Sequence, residues 1–374
     1  MLATGAELER AIDGAETTRP VLRGESIEGL AHVEYARAVS LLSPTAQHDW
    51  EEYMEATGDD DASSLELRNA LIDEHEPMLE ALALGARHTD AHSPIVWDRG
   101  YGNKLPKLMT ARNVVNIAVL SARRHLDEGR HDRAVDVLLD SMQFSRDVMH
   151  GPTLIQTMIG CALLEISSSA VLLDGQFLER FPPTQLERLA LGMQTLDSAL
   201  SLGSLGADGD TALLIRALAS ADDLDETLYL DPEMVLGSWR YGFSKRLMCA
   251  EYVREAMRWR SFQTETQGLE WPELRQRIEA LIADCEEGSN PLGPQNSRIQ
   301  LSVAQAPRGA LARFRMARTA IDYRLTGEVT ALPDPFGTQL QVSESENGLR
   351  VESLGPGDQG QRERYTIEIA RAGD

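Results

Sequence analysis

The chain has 374 residues, is 42% hydrophobic and 5% aromatic, and carries a formal net charge of -23. That apolar content excludes a disordered chain, and the length favours two units or an extended array over a single core. A polyanionic surface repels phosphate backbones and anionic lipid, so no nucleic-acid partner is expected.

In chain order, residues 1–30 read as a polar lead-in with a short helix at Glu7–Asp13. Residues 31–57 read as helix, interrupted near Pro44, and "GDDDASS" (Gly58–Ser64) as a linker. A helix running to about Leu84 follows, with Leu65, Leu71, Ile72, Met78, Leu79 and Leu82 roughly on one face. In it, "DEHEP" (Asp73–Pro77) reads as a solvated acidic face. Ala86–Pro106 is rich in turn formers and reads as a loop. It holds His88, Asp90 and His92, too few ligands for a zinc site.

The middle of the chain is the most regular. Breaks at Glu128-Gly129-Arg130 and His150-Gly151-Pro152 divide it into three long helices. Short loops between long helices force antiparallel neighbours. The stretch with Leu126-Asp127-Glu128-Gly129, His131-Asp132 and Ala134 resembles one tetratricopeptide hairpin. No strict 34-residue period continues it, so the body reads as solenoid-like helical hairpins over residues 31–287. Later helices are expected from Pro183, over about Pro232–Thr264, and over Trp271–Glu287. "EEGSNPLGPQNS" (Glu286–Ser297) marks a linker, placed at 288–300.

The last unit, 301–374, reads as a helix followed by a small antiparallel β-meander. The helix begins at "PRGALARF", with Leu311, Phe314, Ala317, Ile321 and Leu325 inward and the arginines outward. Alternation marks strands at Gln339–Val342, Leu349–Ser353 and Tyr365–Ile369, with Asn347-Gly348 as a hairpin turn. The fold class is therefore mainly α, with a β tail.

Two pieces of this tail, "LPDPFG" (Leu332–Gly337) and "SLGPGDQG" (Ser353–Gly360), resemble the C-terminal part of major pseudopilins of type II secretion. The whole chain is similar in pattern to planctomycete-type bacterial proteins that join a tetratricopeptide-like body to such a tail. The resemblance implies a place at or near a cell envelope, on the periplasmic side if an anchor preceded Met1. Pseudopilins carry a long apolar N-terminal helix, which this sequence lacks, so a pilus subunit is not expected. Their last loop can bind calcium; here only Asp358 is left, and calcium wants six to eight oxygens.

The sequence calls for no cofactor and no metal. Cys161, Cys249 and Cys285 stand far apart and read as buried small residues; a Cys249–Cys285 disulfide has nothing to recommend it. No stretch reaches eighteen apolar residues, so no membrane insertion is expected. The one basic-aromatic cluster is the candidate binding stripe: Trp239, Arg240, Tyr241, Arg254, Arg258 and Trp259. The function expected is a non-enzymatic protein–protein interaction scaffold. The alternative is a hydrolase-type enzyme with its site around the His88/His92 loop.

Overall fold

The computed structural model describes residues 2–13, 19–56, 62–93, 108–172, 175–200, 208–213, 215, 245–266, 268–287, 293–345, 348–356 and 365–370. The protein is mainly helical, with a small antiparallel three-stranded sheet near its C-terminus. Helices α1 (Leu2–Asp13), α2 (Ala31–Ser40), α3 (Ala46–Ala56), α4 (Ala62–Glu74) and α5 (Glu76–Arg87) come first. The long helices α6 (Leu108–Asp127), α7 (His131–Met149) and α8 (Leu154–Leu172) follow, then α9 (Gly175–Glu179) and α10 (Pro183–Ala199). Beyond residue 244 come α11 (Lys245–Glu265), α12 (Trp271–Glu287) and α13 (Gly293–Thr326).

The breaks around α7 fall where glycine marks them. Gly129 has φ +72°, and its N–H bonds the Leu126 carbonyl while Arg130 N–H bonds that of His125. This left-handed residue stops α6 and lets α7 turn back. The single helix expected from the linker to Leu84 is instead two, α4 and α5. Pro77, at the start of α5, has no N–H for the Asp73 carbonyl, and the chain breaks at His75. In "DEHEP" the acidic residues Asp73, Glu74 and Glu76 are exposed, as expected of a solvated face, while His75 between them is fully buried. Ser43 N–H donates to its Nε2 at 3.1 Å, which leaves Nδ1 to donate to the Leu71 carbonyl at 2.8 Å.

The lead-in is part of the fold. Strand β1 (Ile27–Leu30) pairs in parallel with β2 (His88–Asp90), so the His88 region is strand where a loop was expected. Arg19 and Arg23 reach down to α7, which α5, α6, α8 and α10 also pack against. A helix so surrounded buries even polar residues of one stripe: Asp140, Gln143 and Asp147, with Asp136 half-buried at the same helical spacing. Arg19, with no exposed side-chain surface, pairs with Asp147 at 2.9 Å and donates to the Ala86 and Gly85 carbonyls. Tyr35 donates to Asp147 at 2.7 Å, and burial beside that carboxylate raises its pKa well above the usual value. Arg23 forks onto Asp140, with Nε 2.7 Å from Oδ1. Burial still pushes the Asp140 carboxyl up to about 6, against the pull of Arg23.

One apolar core runs from Ala31 of α2 to Val351 in the C-terminal sheet. Helix α13 begins at Gly293, inside the stretch read as linker, and lies along α8. Pro307 is internal to it, not its first residue. Phe314, Ala317 and Ile321 are fully buried, as their spacing requires. Its arginines, however, do not simply face out. Arg313 pairs with Glu165 at 2.7 Å, Arg315 and Arg318 both clamp Asp197 at 3.0 and 3.1 Å, and Arg324 meets Glu179 at 3.3 Å. They bind α13 to its neighbours.

The sheet has the order β3 (Gln341–Ser345), β4 (Gly348–Ser353), β5 (Tyr365–Ala370), antiparallel throughout. Leu349 and Val351 alternate into the core and are fully buried. Ser345 pairs with Gly348, so Gly348 belongs to the strand and not to the turn.

Candidate functional site

A cleft of about 780 Å³ opens where α11, α12 and α13 meet the Leu332–Gly337 turn. Its first wall is the end of α11. Trp259 and Phe262, one turn apart, stack edge to face with centroids 5.6 Å apart, and Gln263 lies beside them. Thr266 closes the helix: its N–H and its hydroxyl both bond the Phe262 carbonyl, at 2.9 and 2.7 Å. Helix α12 then starts at once with Trp271, and Leu274 and Ile278 follow at helical spacing on the cleft side.

The second wall is α13 around Pro307. Proline has no N–H to give to the Val303 carbonyl four residues back, and both residues line the cleft. The Arg308 guanidinium lies over the Trp271 ring, 5.4 Å from its centroid. It donates once, to the Ala304 carbonyl at 3.0 Å. Burial lowers its pKa, with the charge of Glu270 acting the other way.

The floor is the proline-rich turn, and Asp334 organises it. Its Oδ1 accepts from Phe336 N–H at 3.0 Å and from the Ser353 hydroxyl at 2.9 Å; its Oδ2 accepts from Leu354 N–H at 2.8 Å. One buried carboxylate thus joins both tail pieces singled out in the sequence. Gly337 lies close against the tail: a Cβ there would stand 2.5 Å from the Leu354 side chain, whose methyl end would have to shift. Phe336 meets Trp271 edge to face at 5.5 Å, and the Trp271 N–H and Arg275 both donate to the Pro356 carbonyl. The tail is pinned to α12 and to α13, where Arg315 donates to the Pro333 carbonyl at 3.0 Å.

Three buried polar atoms in these walls have no hydrogen-bond partner: Trp259 Nε1, Gln263 Oε1 and Arg308 Nε. Trp259 is only 4% exposed, so its indole N–H is dry on the protein side. Leaving such a group unpaired costs about 1–3 kcal/mol. All three have under 1 Å² of accessible surface, so they are sealed within the walls and the cleft offers a ligand its aromatic and apolar faces.

No family model matches the chain, and comparisons with curated proteins and with solved structures find no significant match.

The candidate stripe is divided by the structure. Trp239, Arg240 and Tyr241 lie outside the described residues, as does Asp358. Trp259 is in the cleft wall, while Arg254 is exposed and Arg258 turns away to pair with Asp284 on α12. Consecutive residues on a helix point about 100° apart, so Arg258 and Trp259 do not share a surface. Gln263, Trp271 and Arg308 escape a reading of the sequence because they come from three segments; the one local signal was a proline inside an amphipathic helix.

The His88/His92 region has a different geometry. His92 N–H donates to Asp90 Oδ1 at 2.8 Å, an Asx turn that ties the carboxylate to backbone. His88 Nδ1 is buried without a partner against Gly29. His32, beside His92, has its pKa lowered, mainly by burial. Among the described residues, no group of three or more His, Cys, Asp or Glu side chains is arranged to hold a metal ion. Cys161 is a buried thiol that burial pushes up to about 12, far from thiolate chemistry. Among the described residues, no helix is long and apolar enough to cross a membrane.

Proposed function

We propose that this protein is a non-enzymatic interaction scaffold that takes a peptide segment of a partner protein into the cleft between α11, α12 and α13. The observation that carries the reading is the cleft itself, about 780 Å³, with an aromatic and apolar wall beside the half-buried Arg308. Trp259, Phe262, Leu274 and Ile278 supply the apolar contact that side chains of the segment need. The α6–α7 hairpin is in keeping with a tetratricopeptide-like body, a class that works by holding peptides. The pseudopilin-like tail supports a place at or near a bacterial envelope.

The test is a selection of random peptides, displayed with free N-termini and with free C-termini, on the full chain. Selected peptides are then titrated by calorimetry against wild type and Thr338→Trp. Thr338 is exposed at the rim, so the indole blocks the cleft without entering the core. At least tenfold weaker binding by the variant is expected. Equal affinities would overturn the proposal.

A further inference from the structure

The cleft holds a cation that the fold does not pair. Arg313, Arg315, Arg318 and Arg324 of α13 each meet a carboxylate of a neighbouring element. Arg308, on the same helix, makes no ion pair with any described residue. Its Nη1 donates to the Ala304 carbonyl at 3.0 Å, and its guanidinium carbon stands 5.4 Å from the centroid of the Trp271 ring. Nε is sealed in the wall and offers nothing to a ligand. Nη2 bonds no described residue and is not among the sealed atoms, so this half-buried side chain presents Nη2 to the cleft that it lines. The carboxylates of the lining do not answer it. Asp334 is taken up by three bonds within its own turn, and Glu270 is exposed at the rim, beyond pairing distance.

We propose that the cleft takes an acidic segment of a partner protein, in which an Asp or Glu side chain meets Arg308 while neighbouring apolar side chains cover the wall. This rests on reading the cleft as a peptide site and adds the sign of its charge. A guanidinium held against an indole and partly withdrawn from water attracts a carboxylate more strongly than one in open solvent, because the local dielectric is lower. One free cation answers one charge. Arg315, the other arginine of the lining, is already engaged by Asp197 and by the Pro333 carbonyl. A phosphoryl group, with nearly two negative charges, would be left half-compensated. Phe262, Leu269 and Val303 are half-buried in the lining and offer apolar surface beside the cation. The segment that fits therefore carries Asp or Glu within a residue or two of a large apolar side chain. The chain's net charge of -23 acts the other way at long range and draws basic peptides. An acidic preference is thus the signature of a local cation, not of the overall field.

The test selects displayed random peptides on the full chain and, in parallel, on Arg308→Gln. Peptides taken by the wild type are expected to be enriched in Asp or Glu beside large apolar residues, and those taken by the variant are not. The best wild-type peptides are then made with a dansyl label, each also with its Asp or Glu changed to Asn or Gln, and dansyl emission reads binding. On the wild type the acidic form is expected to bind at least tenfold tighter than its neutral twin. On Arg308→Gln the two bind alike, while Arg308→Lys, which keeps the charge without the planar stack, retains part of the preference. Circular dichroism confirms that both variants are folded, and the comparison of twins on the wild type needs no variant at all. Selected peptides that are neutral or basic, or twins that bind equally, overturn the acidic segment but leave the peptide cleft standing. An acidic preference that survives Arg308→Gln overturns Arg308 as its anchor. Displacement by decanoate at the same concentration as by the unlabelled acidic peptide overturns the segment in favour of an acyl carboxylate. Failure to select any peptide, or binding untouched by Thr338→Trp, overturns the cleft and this inference with it.

Discussion

Two polar regions of this molecule hold their cations differently. Around α7 the buried carboxylates meet cations: Arg19 with Asp147, and Arg23 with Asp140. In the cleft beside α13, Arg308 lies over Trp271 and bonds the Ala304 carbonyl, and makes no ion pair with any described residue. Single unpaired atoms occur in both places, Arg19 Nε and Gln143 Oε1 in the first and Arg308 Nε and Trp259 Nε1 in the second. What differs is the charge. Around α7 its burial is offset by a strap drawn from far away in sequence; at Arg308 an aromatic face stands where Arg313, Arg315, Arg318 and Arg324 of the same helix find a carboxylate.

The largest expected effect lies on the α7 side. Arg19→Met takes one of two cations from the Asp147 carboxylate, 3% exposed, where Arg146 stays at 3.1 Å, and strands the Ala86 and Gly85 carbonyls. Removing one partner of a buried pair typically costs about 3–5 kcal/mol. Urea denaturation is expected to show about 4 kcal/mol. The double change Arg19→Met with Asp147→Leu is expected to recover little of this, because Arg146 then loses its partner as well. A single-variant loss below about 1 kcal/mol would mean that the strap is not held by this pair.

Asp334→Ala comes next. It removes an acceptor of three bonds and leaves the Ser353 hydroxyl and two backbone N–H groups unanswered. About 3 kcal/mol is expected from the thermal midpoint, on the scale of about 1 kcal/mol per bond. Cleft binding should fall with it, since the turn is the floor. Loss of stability with unaltered binding would separate the turn from the site.

The third expectation concerns pH. His150 is largely buried beside Arg146, and both effects lower its pKa from 6.5 to about 4. The folded state therefore binds this proton less tightly than the unfolded state. Its contribution is whole above pH 6.5 and is lost as pH falls towards 4, about 2 kcal/mol by pH 5. Asp140, raised to about 6, acts with the other sign: the fold gains as pH falls through 6. The two partly cancel in the wild type. The stability of wild type minus that of His150→Gln isolates the histidine, and it should fall by about 2 kcal/mol as pH is lowered from 7 to 5. A constant difference would rule out a buried neutral His150.

Much of this arrangement was legible in the sequence, and the limit has a physical cause. Gly129 and the Gly151-Pro152 step set the ends of α6, α7 and α8, because turn chemistry is local. Leu349 and Val351 declared the strand and its inner face, because alternation is local too. The burial of Arg19 was not legible: it depends on a polar stripe more than a hundred residues away. Nothing in the lead-in's own composition says that its arginines are needed inside. Pro307 misled for a related reason. Proline is favoured at the first turn of a helix, so it read as a start; only packing against α8 and α12 carries the helix through it. The cleft was half legible. Trp259 stood out as a binding residue, but Gln263, Trp271 and Arg308 become neighbours only when three helices assemble.

The smallest expected effect tests that last point. From the sequence, Arg258 and Trp259 belonged to one stripe. In the fold Arg258 pairs with Asp284 on the outer side, where both side chains are well exposed, 40% and 67%. Exposed pairs contribute about 0–1 kcal/mol, since water screens the charges and two flexible side chains must be held. Arg258→Gln is therefore expected to change stability by less than about 0.5 kcal/mol and to leave binding of the selected peptides unchanged. Trp259→Leu, at the adjacent position, removes an aromatic ring from the cleft wall and is expected to weaken that binding several-fold. If Arg258→Gln weakened it equally, the binding surface would run along the outer face of α11 and not through the cleft.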